Sequence, residues 1–206
     1  MKLTPNVGGF TVARRSILII QGHPDAAGGH LCHSLADAYA AGAESAGHRV
    51  LRVDVAHLDF PLLRSQAAFE SGTMPESLRG ARDALIASDH VVMLFPLWLG
   101  TLPGLLKGFL EQLMRPGLAF LPGRETFPRA LLTGRSARLV VTMGMPAWAY
   151  RCFYFAHGVR CIDRGILGFA GMSPVRHTYF GRVDAAPLEQ RQRWLVQMRR
   201  LGEQGI

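Results

Sequence analysis

Three short stretches of this chain carry residues that could do chemistry together. The first is Gln21-Gly22-His23-Pro24-Asp25-Ala26-Ala27-Gly28-Gly29-His30-Leu31. Gly28-Gly29 lets the backbone approach an anion closely. The helix expected to open there offers unpaired N–H groups and the positive end of its dipole to a phosphate. His23 and His30 could add hydrogen bonds. A flexible glycine turn is the alternative reading. No Gly-Lys-Ser/Thr follows, so this is not a P-loop, and no G-x-G-x-x-G is present, which argues against a Rossmann dinucleotide site. The second stretch runs from Phe95 to Phe109. An apolar run, Val91–Phe95, breaks at Pro96, and Leu97, Trp98, Leu99, Gly100 and Gly104 follow with no charge before Lys107. Such a turn makes a flat apolar slot suited to a planar ring, an isoalloxazine or a quinone, although a well-packed β–α turn would look the same. The third is Thr142-Met143-Gly144-Met145-Pro146-Ala147-Trp148-Ala149-Tyr150. Gly144 can turn backbone N–H groups toward a ring carbonyl, Tyr150 can supply a hydroxyl, and His157 follows about two helical turns later.

The elements that must position these turns alternate along the chain. Ile17–Gln21 reads as a short apolar strand, and Leu31, Leu35, Ala38, Tyr39 and Gly42 recur at helical spacing. Gly47-His48 closes that helix, and Val50–Asp54 is a second strand. Residues 57–75 form a long connection, with helix from Leu78 to Ala87. His90–Phe95 is strand three, followed by helix Leu105–Met114. Ala137–Thr142 is strand four, residues 157–170 are helical, Val175–Phe180 is strand five, and an amphipathic helix runs from about Pro187 to Leu201. Alternating strand and helix imply a parallel sheet with helices on both faces. The expected architecture is α/β, a flavodoxin-like three-layer sandwich with a five-stranded parallel sheet in the order 2-1-3-4-5, with residues 1–15 as an irregular arm and 16–206 as one domain. Ligands of such sheets sit beyond the carboxyl ends of the strands at the switch point between strands one and three. All three stretches fall at that end.

Composition narrows the class. With 206 residues, 49% hydrophobic and 18% charged, the chain can build a buried core and is not of disordered type. Its apolar runs are too short to span a membrane. Arg14-Arg15 before Ile17–Ile20 imitates a twin-arginine export signal, but the run stops at Gln21-Gly22-His23-Pro24 and reads as a strand. Three cysteines, Cys32, Cys152 and Cys161, show no metal spacing and point to a reduced, cytoplasmic setting. The formal charge of +8 raises nucleic-acid binding. The arginines are scattered, without a basic stripe or a helix-turn-helix, so no nucleic-acid partner is expected. A basic surface equally attracts anionic NAD(P)H or acidic lipid headgroups.

Taken together the three turns resemble the flavodoxin-like NAD(P)H:quinone oxidoreductases, a family that includes bacterial modulators of drug activity and potassium-efflux ancillary proteins. The resemblance runs from about Ile17 to Gly181. Its most specific stretch is Phe95-Pro96-Leu97-Trp98, Pro103, Leu106-Lys107-Gly108-Phe109, Pro116-Gly117 and Ala119-Phe120. By that resemblance His23 is the phosphate-side histidine. Gly28 stands where the family has a Ser or Thr, and His30 where it has an Asn, so the hydroxyl is lost and backbone N–H groups must serve. Pro96 to Leu99 would carry the flavin edge. The family's glycine pair in the third loop is reduced to Gly144-Met145. Tyr150 matches a tyrosine that closes over the ring, and His157 falls within a residue of a catalytic histidine. The resemblance implies FMN, with FAD as the alternative, NAD(P)H as co-substrate, a quinone-like acceptor and ping-pong turnover, with Tyr150 and His157 as the catalytic pair.

Two other functions fit the same loops. One is a non-enzymatic flavodoxin-type electron carrier, which the +8 charge and the long segment 115–136 argue against. The other is a flavin-binding regulatory subunit of a transporter. A homodimer is expected, because Phe60, Phe69, Phe120 and Phe127 exceed what two isolated loops need, and because a neighbouring subunit walls the pocket in the resembled family.

Overall fold

The computed structural model describes residues 13–122 and 128–206. Most of the arm expected at residues 1–15, and Phe127, therefore lie outside the described residues. Strand β1 (Ser16–Gln21) leads through the first loop into helix α1 (Leu31–Ser45), and β2 (Arg49–Asp54) follows. The connection expected as irregular at 57–75 contains a short helix, α2 (Gln66–Ser71), started by Ser65, whose hydroxyl accepts from the Ala68 N–H at 3.1 Å. Helix α3 (Arg79–Ile86), strand β3 (His90–Pro96) and helix α4 (Gly104–Leu113) come next. The segment after α4 holds a small antiparallel hairpin, β4 (Phe120–Leu121) with β5 (Arg129–Ala130). Strand β6 (Ser136–Met143), helix α5 (Ala147–Cys152), helix α6 (His157–Arg160) running into a π-helix (Cys161–Gly168), strand β7 (Val175–Gly181) and helix α7 (Leu188–Gln204) complete the chain.

Five strands form one parallel sheet in the order β2-β1-β3-β6-β7. This is the expected 2-1-3-4-5 order in terms of the sheet's own strands. Because side chains alternate along a strand, β1 sends Ile17 and Ile19 to one face and Leu18 and Ile20 to the other. The first face packs under α1 and α7 with Leu35, Tyr39 and Met198. The second packs under α3, α4 and the α6–π segment with Leu85, Leu106, Phe109 and Ile162. Each fully buried Leu, Ile or Phe contributes roughly 1.5–3 kcal/mol. That burial on both faces is why the strands read as continuous apolar runs. No helix among the described residues is long and apolar enough to cross a membrane.

The three loop aromatics within the described residues pack inside their own chain. Phe60 meets Phe109 at 6.2 Å between ring centroids, Phe69 meets Phe120 at 6.5 Å, and Phe120 meets Phe169 at 5.0 Å. The surplus that suggested a partner is largely absorbed by this intramolecular cluster.

His90, fully buried at the start of β3, makes the fold acid-sensitive. Its Nδ1 lies 2.8 Å from Ser136 Oγ. Burial first, then the charges of Arg15, Arg138 and Arg176, push its pKa down to about 3. The unfolded chain takes up a proton on this ring below about pH 6.5, while the folded chain does not until near pH 3. Folding stability therefore falls as pH drops through that window, by roughly 1.4 kcal/mol per pH unit. Denaturant titrations at pH 7.5 and pH 5 should show His90→Gln losing about 2 kcal/mol less than the parent over that interval. Equal losses would assign the acid sensitivity elsewhere.

Candidate functional site

The first loop folds as it does because Gln21, at the end of β1, is buried and organises its surroundings. Its Oε1 accepts from the His23 N–H at 3.1 Å and from Cys32 Sγ at 3.3 Å. The Asp25 N–H donates to His23 Nδ1 at 3.2 Å. An accepting Nδ1 places the proton of the neutral ring on Nε2, leaving that nitrogen as a donor. His23 is kept neutral far into acid, its pKa held at about 4 by burial first and then by its two histidine neighbours, His30 and His33. His30 stacks on His23 with centroids 3.9 Å apart. The Asp25 carboxylate lies 2.7 Å from His30 Nε2, and this hydrogen bond leads the causes that hold the Asp25 carboxyl below the usual carboxylate range.

Gly28 and Gly29 both take positive φ, +73° and +76°, with open space where a side chain would stand. They deliver the chain to α1, whose start has no side-chain cap and no acidic residue in its first turn. The first N–H groups of a fifteen-residue helix, those of Leu31 and Cys32, are thus left at an open cradle, while the His33 N–H donates to His30 O at 2.9 Å. Gln21 Nε2 and His33 Nδ1 are buried nearby without hydrogen-bond partners. The Gln21 amide donor without an acceptor, beside the open loop and the free helix start, suits an anion such as a phosphate.

The second loop is a tight turn. Trp98 and Thr101 exchange backbone hydrogen bonds, both 2.9 Å, and the residues between them, Leu99 and Gly100, have φ of +47° and +80°. Positive φ at both central positions is the primed-turn geometry of a hairpin. Leu99 adopts it without being glycine and is fully exposed, a strained arrangement that persists only when neighbours enforce it. The enforcement is visible. Leu97 N–H donates to Thr142 O at 2.7 Å, and the Tyr150 hydroxyl donates to Gly100 O at 2.9 Å. Trp98 is half exposed, its ring edge-on to His23 with centroids 6.5 Å apart.

These loops meet around one cavity of about 490 Å³ at the carboxyl ends of β1, β3 and β6. His23, Gly29, His30, Pro96, Leu97 and Trp98 line it from the first two loops, and Thr142, Met143 and Gly144 from the third. Gly28, Leu99, Gly100 and Met145 shape the same loops without lining the cavity. Tyr150 and His157 do not line it either. The expectation of a free Tyr150 hydroxyl needs correcting. The side chain is 1% exposed, and the hydroxyl both donates to Gly100 O and accepts from the Val159 N–H at 3.3 Å. Burial is the chief cause that pushes its pKa up, which keeps it protonated. It ties the second loop to α6. His157 is exposed at the first position of α6, beside Phe155 with centroids 5.7 Å apart.

Sequence reading missed one wall of the cavity. Val183 and Asp184, from the loop after β7, and Arg191, from α7, line it. Arg191 donates to Val183 O and Ala186 O, both at 3.1 Å, and so holds that loop in place. Asp184 Oδ2 lies 3.2 Å from where a Cβ on Gly144 would stand. The only signal in the sequence was positional, since the strand after β6 must end at the same edge.

Comparison with known proteins agrees with this fold. A family model described as the flavodoxin-like fold matches residues 15–201. An uncharacterised NAD(P)H oxidoreductase of Haemophilus influenzae is 24% identical over 114 residues, 55% of this chain and 56% of that protein. An FMN-dependent NADH:quinone oxidoreductase of Ruegeria pomeroyi is 31% identical over 131 residues, 55% of this chain and 63% of its own length. The chain thus spans less than two thirds of either relative. Among solved structures, an NAD(P)H:quinone oxidoreductase from Methanothermobacter marburgensis superposes with a TM-score of 0.77 at 21% identity, covering 93% of this chain and 96% of that one, which supports the fold. With the strand order, the switch-point cavity and a family match over nearly its whole length in agreement, the chain belongs to the family of the flavodoxin-like fold.

Proposed function

We propose that this chain binds FMN in the switch-point cavity and, with NAD(P)H as donor, reduces a quinone or a similar flat acceptor by a ping-pong mechanism. The observation that carries this reading is the pairing, within one cavity, of an uncapped helix start behind two left-handed glycines with a half-exposed tryptophan turn. The first suits a phosphate and the second a planar ring. The relative from Ruegeria pomeroyi, named as FMN-dependent, supports FMN over FAD.

Under this reading the N–H groups from Gly29 to Leu31, with His23 Nε2–H, hold the phosphate, and Gly28, whose N–H donates to Asp25 O, shapes the turn. Pro96 to Gly100 carry the ring edge, with Trp98 against it. Backbone N–H groups of Thr142 to Met145 face the pyrimidine, where Asp184 would accept from an imide N–H. Bound flavin supplies the hydride relay. The chain's own residues orient it and offer hydrogen bonds where negative charge develops. Tyr150 acts by positioning the second loop. His157, exposed at the start of α6, remains a candidate proton donor. The three free cysteines fit a cytoplasmic setting. A homodimer rests on exposed Leu99, Phe153 and Phe155 at this edge, which a second copy would cover.

Purified protein titrated with FMN should bind it stoichiometrically at micromolar concentration, and Trp98→Ala should weaken binding by roughly 1–3 kcal/mol. Steady oxidation of NADPH or NADH with a quinone separates an enzyme from an electron carrier. Light scattering of the same samples reads the assembly state. Absence of flavin binding sinks the functional reading, and strict monomer at high concentration sinks the dimer.

A further inference from the structure

A second concavity, of about 600 Å³, lies beyond the third loop, between α5, α6 and β7. Trp148, Arg151, Arg160, His177 and Tyr179 line it. Trp148 and Arg151 stand three residues apart on α5, so indole and guanidinium project from one face. Arg160 approaches from the end of α6. Among the described residues neither arginine pairs with a carboxylate. The acid beside them, Asp163, turns its Oδ2 to within 3.0 Å of His177 Nε2, without hydrogen-bond geometry, and not to either guanidinium. Trp148 is 62% exposed, although a large aromatic side chain favours burial. Two unpaired guanidiniums beside an exposed indole and a phenol make a surface for an anion attached to a flat ring.

Its position relates it to the first cavity. Gly144 lines one cavity and Trp148 the other. Four residues of chain reach at most about 14 Å, within the span of an extended dinucleotide. We propose that this second concavity receives the adenosine end of NADPH, with Arg151 and Arg160 binding the 2′-phosphate and Trp148 stacking on the adenine, so that the chain selects NADPH over NADH. The proposal rests on the reading of the chain as a nicotinamide-dependent flavoprotein. The selection follows from charge. A phosphomonoester brings about −1.5 to −2 at neutral pH and meets guanidinium forks bidentately. NADH offers a neutral hydroxyl at the same place and leaves both arginines to water.

The test is calorimetric and needs no turnover. Adenosine 2′,5′-bisphosphate, adenosine 5′-monophosphate and inorganic phosphate are titrated into the protein with and without FMN. The bisphosphate should bind about tenfold or more tightly than the monophosphate, and the advantage should shrink as salt rises. Arg151→Gln with Arg160→Gln should bring the two nucleotides to within about twofold of each other, Arg160→Lys should restore part of the difference, and FMN affinity should not change. Thermal melting confirms that the variants fold. Equal affinity of the two nucleotides for the parent protein overturns the proposal, as does an advantage that survives the double substitution. Inorganic phosphate binding as tightly as the bisphosphate also overturns it, since the adenosine would then contribute nothing. Arginine-dependent preference in a protein that takes up no FMN supports the site and sinks the flavoprotein reading instead.

Discussion

Gly158→Ala is expected to raise the flavin dissociation constant by roughly 5- to 150-fold while the protein still folds. Gly158 is the second residue of α6, and a Cβ placed there would stand 2.1 Å from Gly100 O and 2.8 Å from Thr101 Cα. Those are backbone atoms of the turn that carries Trp98, so no side-chain rotation relieves the contact. Overpacking of this kind costs about 1–3 kcal/mol, and the turn is the element that can give way. Leu99 in it is already strained at positive φ, and the Tyr150 hydroxyl that anchors Gly100 O hangs on the same helix through the Val159 N–H. Displacing the turn moves Trp98 off the position that a bound ring would meet. Flavin titration together with thermal melting checks this. A lower melting temperature with an unchanged dissociation constant would mean that the turn does not touch the ligand.

Gly42→Ala and Gly202→Ala should each cost about 3 kcal/mol of folding stability, at the upper end for a forced methyl, and leave flavin affinity per folded molecule unchanged. Helices α1 and α7 meet backbone to backbone. A Cβ on Gly42 would lie 2.0 Å from Arg199 O, and one on Gly202 would lie 2.0 Å from Tyr39 O. Alanine gains up to about 1 kcal/mol over glycine in helix propensity, which offsets only part of the cost of prying apart two helices that cover one face of the sheet. Once the helices have separated, the second substitution meets less resistance, so the double variant should lose less than the sum of the singles. Gly42 lies about three turns along α1 from the Gly28-Gly29 loop, so the cavity stays intact. Denaturant melts of the three variants decide it, and additive or sub-kilocalorie losses would count against the close contact.

Much of the molecule was legible because its signals are local. The buried strands announce themselves as unbroken runs such as Val91–Phe95, since a sheet covered on both faces admits apolar side chains in both directions. Alternation with helical spacing and right-handed crossovers then leaves few topologies, and five strands fit the order β2-β1-β3-β6-β7. The left-handed turn at Gly28-Gly29 and the uncharged loop at Pro96–Gly100 were equally visible, because residue type favours each, whereas the positive φ of Leu99 was not. Helix α2 and the β4–β5 hairpin were not, being too short for periodicity and held by single contacts such as the Ser65 cap.

Tertiary structure alone decided the rest. Phe60, Phe69 and Phe120 look surplus in sequence, yet they pack against Phe109 and Phe169 from distant elements. Tyr150 carries the same hydroxyl whether it faces a ligand or a carbonyl. Its commitment to Gly100 O, fifty positions away, exists only after β3 and β6 pair and bring the two loops together. Val183, Asp184 and Arg191 join the cavity for the same reason, since register in a parallel sheet aligns strand ends that are remote in the chain. Composition and spacing determine which elements form and where the turns at the strand ends fall, because those depend on near neighbours. Which polar atoms stay free to act depends on partners that only the assembled sheet supplies.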